Sequence, residues 1–272
     1  VVDALVKGLK EHGGSLRTGV TVRSLLLDGD RVVGVELQNG EQISAQRVVS
    51  NADIWSTLAM LPDGAAEAWQ RQRVETPRCN SFLHLHLGFD ASGLAPLPIH
   101  TVWVDDWNRG IAAERNVVVL SVPSVLDASM APAGRHVLHG YTPASEPWSL
   151  WREHTRGTPA YDALKQERCE VFWRVLERTI PDIRDRCDLV MEGTPLTHSH
   201  FLNVSEGSYG PALSAAKGLF PGVTTPLENL WLCGASTFPG IGIPPVAASG
   251  AMAAHAILGG QAQTRLLKEL GI

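Results

Sequence analysis

Histidines at alternate positions are the first residues in this chain whose spacing could do chemistry. His84 and His86 lie in SFLHLHLGF, an alternating pattern typical of a strand, so both imidazoles are expected on one face. His198 and His200 would share a face in the same way if their segment is extended. Four imidazoles could bind zinc or iron, but no carboxylate or cysteine joins them at a diagnostic spacing. We therefore assign no metal site and no catalytic residue from the sequence.

The elements predicted between Asn229 and Leu258 follow one another in an order that is typical of a cofactor-binding site. A short buried strand at Leu230–Cys233 leads into the glycine turn 234–236 and then into a proline- and glycine-rich loop at 238–245. A helix of small residues is predicted over Val246–Leu258. The start of such a helix presents backbone amides without an internal partner, which favours an anionic or electron-rich ligand. A tightly packed core helix is the alternative interpretation, and about 13 apolar or small residues are too few for a membrane span.

Two familiar motifs are absent from the sequence. Ser249 in AASGA lacks the preceding glycine of GxSxG, which argues against a hydrolase. No GxGxxG occurs, and the glycines at 234, 240 and 242 do not fit one, so a complete dinucleotide-binding start is not found. The chain begins at Val1 inside a helical pattern, and we expect a missing amino-terminal part.

Periodicity and turn residues predict the elements that must position these groups. Apolar spacing predicts a helix at the start of the chain, which Gly13-Gly14 ends. Asp28-Gly29 and Asn39-Gly40 predict the turns of a three-stranded meander. Val48-Val49 predicts a short return strand, followed by short helices at about 52–60 and 63–73.

The middle of the chain changes to a strand pattern. Residues 81–141 predict a separate mixed sheet, and 158–179 predict a long helix that Pro181 ends. A strand at 188–191 and a surface helix at about 261–270 complete the prediction. The order implies two interleaved units, with 1–55 and 229–272 in one and 56–228 in the other.

Composition narrows the class of function. The chain has 272 residues, 44% of them hydrophobic, which suffices for a large core. Its net charge of −5 is scattered without a basic run, so nucleic acid is not an expected partner. The four separated cysteines contain no CxxC and fit a reducing compartment. No signal peptide or transmembrane run is visible.

The stretch GASTFPGIGIPPVAASGAMAAHAIL resembles the carboxyl-terminal flavin-binding signature of the phytoene desaturase and carotenoid isomerase family of FAD-dependent oxidoreductases. Residues 19–53 are similar to the part of the family's FAD domain that follows its first half. Segments that resemble the carotenoid isomerase branch follow in order: LSVPSVLD at 120–127, GTP at 193–195 and GSYGP at 207–211. The resemblance implies an α/β (α+β mixed) fold, a partial Rossmann-like FAD-binding domain of the glutathione-reductase type with an inserted mixed-sheet substrate domain.

The resemblance also implies the cofactor, FAD, and its binding residues. Val22 would offer backbone groups to the adenine, and the turn Gly234, Ala235 and Ser236 would lie at the pyrophosphate or ribityl chain. Five residues would line the flavin ring: Gly242, Ile243, Pro244, Pro245 and Val246. Ala235 stands where the family usually has an acidic residue, and losing that hydrogen bond should weaken FAD binding by about 1.5–3 kcal/mol.

The implied function is isomerisation or desaturation of a long apolar polyene such as a carotene. The implied partner is the missing amino-terminal half of the same protein, which would carry GxGxxG. We expect peripheral membrane contact at most, and a cytoplasmic or a plastid (thylakoid-type) membrane location. The alternatives are a catalytically incomplete fragment or paralogue that binds pigment or a partner chain, and a retinol saturase-like or amine oxidase-like flavoenzyme.

Overall fold

The computed structural model describes residues 1–214, 216 and 220–271. By packing, the chain divides into two compact units. The first comprises Val1–Val74, Gly222–Cys233 and Gly250–Ile272, and the second comprises Glu75–Pro221 and Gly234–Ser249. This division places 234–249 in the second unit, whereas the sequence analysis grouped that stretch with the FAD-binding segments. The functional domain boundaries stay a prediction.

The elements alternate along the chain. The helices are α1 (Val2–Glu11), α2 (Ile54–Ala59), α3 (Glu67–Val74), α4 (Pro159–Leu176), α5 (Ile183–Arg186), α6 (Pro195–Leu202), α7 (Ile243–Leu258) and α8 (Gly260–Glu269). The strands are β1 (Val22–Asp28), β2 (Arg31–Leu37), β3 (Gln42–Ser44), β4 (Val48–Ser50), β5 (His84–Asp90), β6 (His100–Val104), β7 (Val117–Ser121), β8 (Arg135–Tyr141), β9 (Cys187–Gly193) and β10 (Leu230–Leu232).

The first unit contains the predicted meander, β1-β2-β3, and a two-stranded sheet, β10-β4. The predicted turns are confirmed, because Gly29 and Gly40 both adopt the positive φ that such turns need. β10 runs parallel to β4, with Leu230 opposite Val48. A core of apolar residues from β1, β2, α2 and β10 lies between these elements, and Leu230 is fully buried in it.

The second unit is built on one sheet of five strands in the order β6-β7-β8-β5-β9. Every pairing in it is antiparallel, so the sheet is not mixed as the sequence analysis expected. One face packs on α4, whose apolar side includes Phe172 and Cys169, and this forms the larger core. Alternation along β5 buries Leu85, Leu87 and Phe89 in that core and leaves its histidines on the other face.

Two local predictions are corrected. His198 and His200 lie on helix α6, where residues two apart point in different directions, so they do not form a same-face pair. Thr194 causes this, because its side chain and that of Thr197 form a capping box that starts the helix at Pro195. Helix α7 begins at Ile243 rather than Val246, with both prolines inside its first turn. Within the described residues, no helix has the length and apolar character that crossing a bilayer requires.

Candidate functional site

The loop before α7 depends on glycine at its turning points. Gly240 and Gly242 have φ values of 117° and 114°, a region that side chains rarely adopt. A Cβ at Gly240 would also lie 3.4 Å from the ring of Phe220. Gly240 is therefore buried beside Phe220, whereas Gly242, directly before α7, is exposed.

The Ser249 hydroxyl connects the turn at Gly234 to helix α7 through hydrogen bonds. The Gly234 amide donates to the Ser249 hydroxyl at 2.8 Å, and that hydroxyl donates to the Val246 carbonyl at 2.7 Å. Ser249 is completely buried. The Gly234 amide is thus already used, so any role of Gly234 toward a ligand rests on its missing side chain.

The start of α7 offers fewer donors than the sequence analysis assumed. Pro244 and Pro245 carry no N–H, and the Val246 amide donates to the Gly242 carbonyl at 3.0 Å. Among the described residues, the Ile243 amide has no acceptor, and the Ile243 side chain is 81% exposed. The helix start is therefore an exposed, largely apolar surface with a single amide donor in its first turn.

Thr237, in the same loop, holds a buried hydroxyl without a hydrogen-bond partner in the described part of the chain. Buried hydroxyls are nearly always satisfied, so a bound molecule or an ordered water would complete this one. Among the described residues, the exposed apolar start of α7 and its one free amide fit a flat, largely apolar ring with a polar edge, which describes a flavin.

The structure places the predicted cofactor residues in two groups. Gly234, Ala235 and Ser236 and the run 242–246 all belong to the second unit, within one loop and the first turns of α7. Val22 belongs to the first unit, where it begins β1 and is 39% exposed. Their roles toward FAD stay predictions.

The open face of the five-stranded sheet carries a histidine cluster that the sequence analysis did not assemble. On β5 and β8, His86 lies directly opposite His139, and His84 lies opposite Tyr141. His84 Nδ1 and His139 Nε2 are 2.6 Å apart, so one ring donates a hydrogen bond to the other. The His86 and His139 rings stack with centroids 4.6 Å apart.

Burial disfavours the charged form of these imidazoles. It lowers the pKa of His84 to about 3, and the nearby His198, His139 and His86 add to the effect by charge repulsion. Burial also lowers the pKa of His198 to about 4, although its hydrogen bond to the Phe82 carbonyl acts in the opposite direction. The pKa values of His86 and His139 are lowered mainly by burial as well.

A cavity of about 680 Å³ opens beside the cluster, inside the second unit. Its wall combines aromatic and imidazole rings with four charged side chains, those of Arg156, Asp162, Lys165 and Glu192. The residues that matter here are Phe82, His84, His86, Tyr161, His198 and Phe201. The cavity can therefore accept an apolar or aromatic molecule with neutral imidazoles at one side.

The sequence model of the flavin containing amine oxidoreductase family matches residues 1–258. The chain belongs to this family. Membership confirms FAD as the predicted cofactor, and the fold class is confirmed in its outline by similarity to a solved oxidoreductase from Methanosarcina mazei. That similarity covers 95% of this chain and 53% of the other, with a TM-score of 0.56 and 16% identity.

Curated relatives confirm the narrower resemblance. The chain is 34% identical over 271 residues to a chloroplastic prolycopene isomerase from Arabidopsis thaliana, an alignment that covers 94% of this chain and 44% of the relative. It is 25% identical over 283 residues to a neurosporene-forming phytoene desaturase from Rhodobacter capsulatus, covering 94% and 52%. The chain thus spans about half the length of the curated relatives it matches.

Sequence reasoning missed two functional candidates. Ser249 was noticed only as a rejected nucleophile, although it fixes the Gly234 turn. His139 lies in RHVLHGY, whose alternation already places it on the face opposite the buried Leu138. What the sequence could not supply was the register that sets His139 beside His86.

Proposed function

We propose that the protein is an FAD-dependent oxidoreductase or isomerase that acts on a long apolar polyene, by cis–trans isomerisation or desaturation of a carotene. The observation that carries the proposal is the 34% identity to prolycopene isomerase across 94% of this chain. The uncovered apolar start of α7 and the aromatic cavity of the second unit support it, because a polyene offers no polar group to recognise.

Bound FAD would supply the electron or hydride transfer. In this chain, the Ile243 amide would donate a hydrogen bond to the flavin ring. The flavin ring would be covered, and water excluded from it, by the exposed Gly242 and Pro244 and the half-buried Pro245 and Val246. The turn Gly234-Ala235-Ser236 would allow close approach of the ribityl or pyrophosphate part. We propose a separate backbone contact between Val22 and adenine.

Three further assignments belong to this proposal. The remaining part of the FAD site would come from an amino-terminal segment of the same protein that carries GxGxxG. Peripheral contact with a membrane would give access to a carotene, since such substrates reside in the bilayer. A reducing compartment, either cytoplasmic or plastid with thylakoid-type membranes, would keep the cysteines free, and the chloroplastic relatives favour the plastid.

The first experiment measures flavin and polyene chemistry together. The chain is produced within the full protein that its gene encodes. The purified protein is incubated with a poly-cis carotene under reducing conditions and, separately, with a less conjugated carotene precursor under oxidising conditions. Flavin absorbance and a changed polyene spectrum are expected. A protein with neither would be a non-catalytic binding protein, and the proposal would fall.

A second experiment tests the loop within that protein. Ile243→Asp places a carboxylate on the surface assigned to the flavin ring and should remove most bound flavin. Leu258→Asp is the matched control, because Leu258 is 65% exposed at the other end of the same helix. Equal flavin content in the two variants would contradict the assignment of the loop.

A further inference from the structure

On the sheet face that carries the β5 histidines, three imidazoles lie close enough together to share one metal ion. Their rings are stacked, with interplanar angles of 16–23°, so they would have to turn to aim their lone pairs at it. The candidate ligand atoms of His84, His86 and His139 all lie within 4.8 Å of one another. Two come from alternate positions of β5 and the third from the neighbouring strand β8, which holds it directly opposite His86. Strand pairing fixes these positions, so the cluster sits on the rigid part of the unit and not on a loop.

The spacing is close to what coordination needs. Nitrogen ligands bind zinc at about 2.0–2.1 Å in a tetrahedral arrangement, which puts ligand nitrogens about 3.3 Å apart. His84 and His139 are at 2.6 Å and would separate slightly to admit an ion. The widest pair, at 4.8 Å, would close by about 1.5 Å, a distance that imidazole rotation covers.

The ligand set also indicates the class of metal. Imidazole nitrogen suits zinc, copper, iron and nickel, whereas calcium and magnesium prefer oxygen. Three protein ligands leave a fourth position open, as in catalytic zinc sites. His84 and His86 also line the 680 Å³ cavity, so an open position can face a molecule held there.

We propose that His84, His86 and His139 form a three-histidine site for a divalent transition metal, with Zn²⁺ as the reference ion. The three ligand residues lie on β5 and β8, and none of them belongs to the loop before α7. Sequence analysis assigned no metal because no carboxylate or cysteine joins His84, His86, His198 and His200 at a diagnostic spacing. The third ligand is supplied by strand pairing with β8.

The test uses the tag-free full chain and Co²⁺ as a spectroscopic probe, with Zn²⁺ as competitor. After desalting, elemental analysis should find one metal per chain, and the Co²⁺ complex should show visible d–d absorption that Zn²⁺ abolishes. His86→Gln and His139→Gln should each weaken Co²⁺ binding at least ten-fold, and the double variant should retain no metal.

His100→Gln is the matched control. His100 continues the same row across the sheet, since it pairs with Ser121, which pairs with His139. It lies two strands from His139, about 10 Å away, and cannot join the cluster. This variant should bind metal like the unaltered chain.

Two results would overturn the proposal. One is an unaltered chain that retains no Co²⁺ or Zn²⁺ after desalting. The other is binding that both glutamine variants leave unchanged. If a variant does not fold, the metal count and spectrum of the unaltered chain still decide the question, because nitrogen-ligated tetrahedral Co²⁺ has a visible spectrum distinct from that of the hydrated ion.

Discussion

Glu146 and Arg168 form a buried ion pair whose disruption should have a large and measurable cost. The Glu146 side chain is completely buried, and its carboxylate accepts two hydrogen bonds from Arg168, at 2.9 and 2.8 Å. Trp151 Nε1 donates a third at 2.8 Å. Arg168 also bonds to Glu114, whose side chain is half exposed. The guanidinium is therefore the main compensation for a carboxylate that has no access to water.

Arg168→Met keeps the length of the side chain and removes its charge. Within the described part of the chain, Glu146 would then retain only the Trp151 donor, and breaking a buried pair from one side costs about 3–5 kcal/mol. For a unit of this size that loss lowers the midpoint of thermal unfolding by roughly 10 °C. Combining the change with Glu146→Gln removes both charges and should restore at least about 2 kcal/mol, since no charge is left buried without a partner.

The assay is urea unfolding monitored by tryptophan fluorescence, with thermal unfolding as a second measurement. Arg115→Met is the control, because Arg115 forms an ion pair with Glu167, an exposed residue on the helix that carries Arg168. That pair should contribute about 1 kcal/mol or less. Two results would refute the conclusion that burial of the pair makes its disruption costly: a loss of less than about 1.5 kcal/mol in the free energy of unfolding for Arg168→Met, or no recovery of that free energy in the double variant.

Three further predictions concern packing, pH and the cofactor. Gly34→Ala should destabilise the chain by about 1–3 kcal/mol, because the added Cβ would overlap the Ile43 carbonyl on the neighbouring strand. Gly8→Ala is the control, since the space around Gly8 is open and the change should be neutral or stabilising. Denaturant unfolding of the two variants distinguishes these outcomes. Burial raises the pKa of the Cys169 thiol, so the native chain keeps a proton that the unfolded chain loses above about pH 8.5. The free energy of unfolding should therefore fall as the pH rises beyond that value, and Cys169→Ala should reduce this slope; an identical slope would contradict the assignment. Ala235→Glu should tighten FAD binding in the flavin-loaded protein by roughly ten-fold or more, as measured by flavin release, and unchanged release would show that no hydrogen bond was restored.

Much of the secondary structure is readable from the sequence because it is decided locally. The two hairpins follow from Asp28-Gly29 and Asn39-Gly40, whose glycines need positive φ. The long helix α4 follows from its apolar spacing and from Thr158, which caps it ahead of Pro159. The errors also have local causes. The capping box at Thr194 was overlooked, so His198 and His200 were considered as a strand pair, and the prolines of α7 were placed before the helix instead of in its first turn.

The sequence by itself determined the family, the cofactor and the loop at 234–242, because a run of glycines, prolines and small residues constrains the backbone wherever it occurs. Only the tertiary structure decided what the histidines do. His84 and His86 share a face because strands have a period of two, and that much is visible in one segment. His139 joins them from 53 residues further along than His86, through a register that no local pattern encodes, since strand pairing depends on how the whole sheet buries its other face against α4.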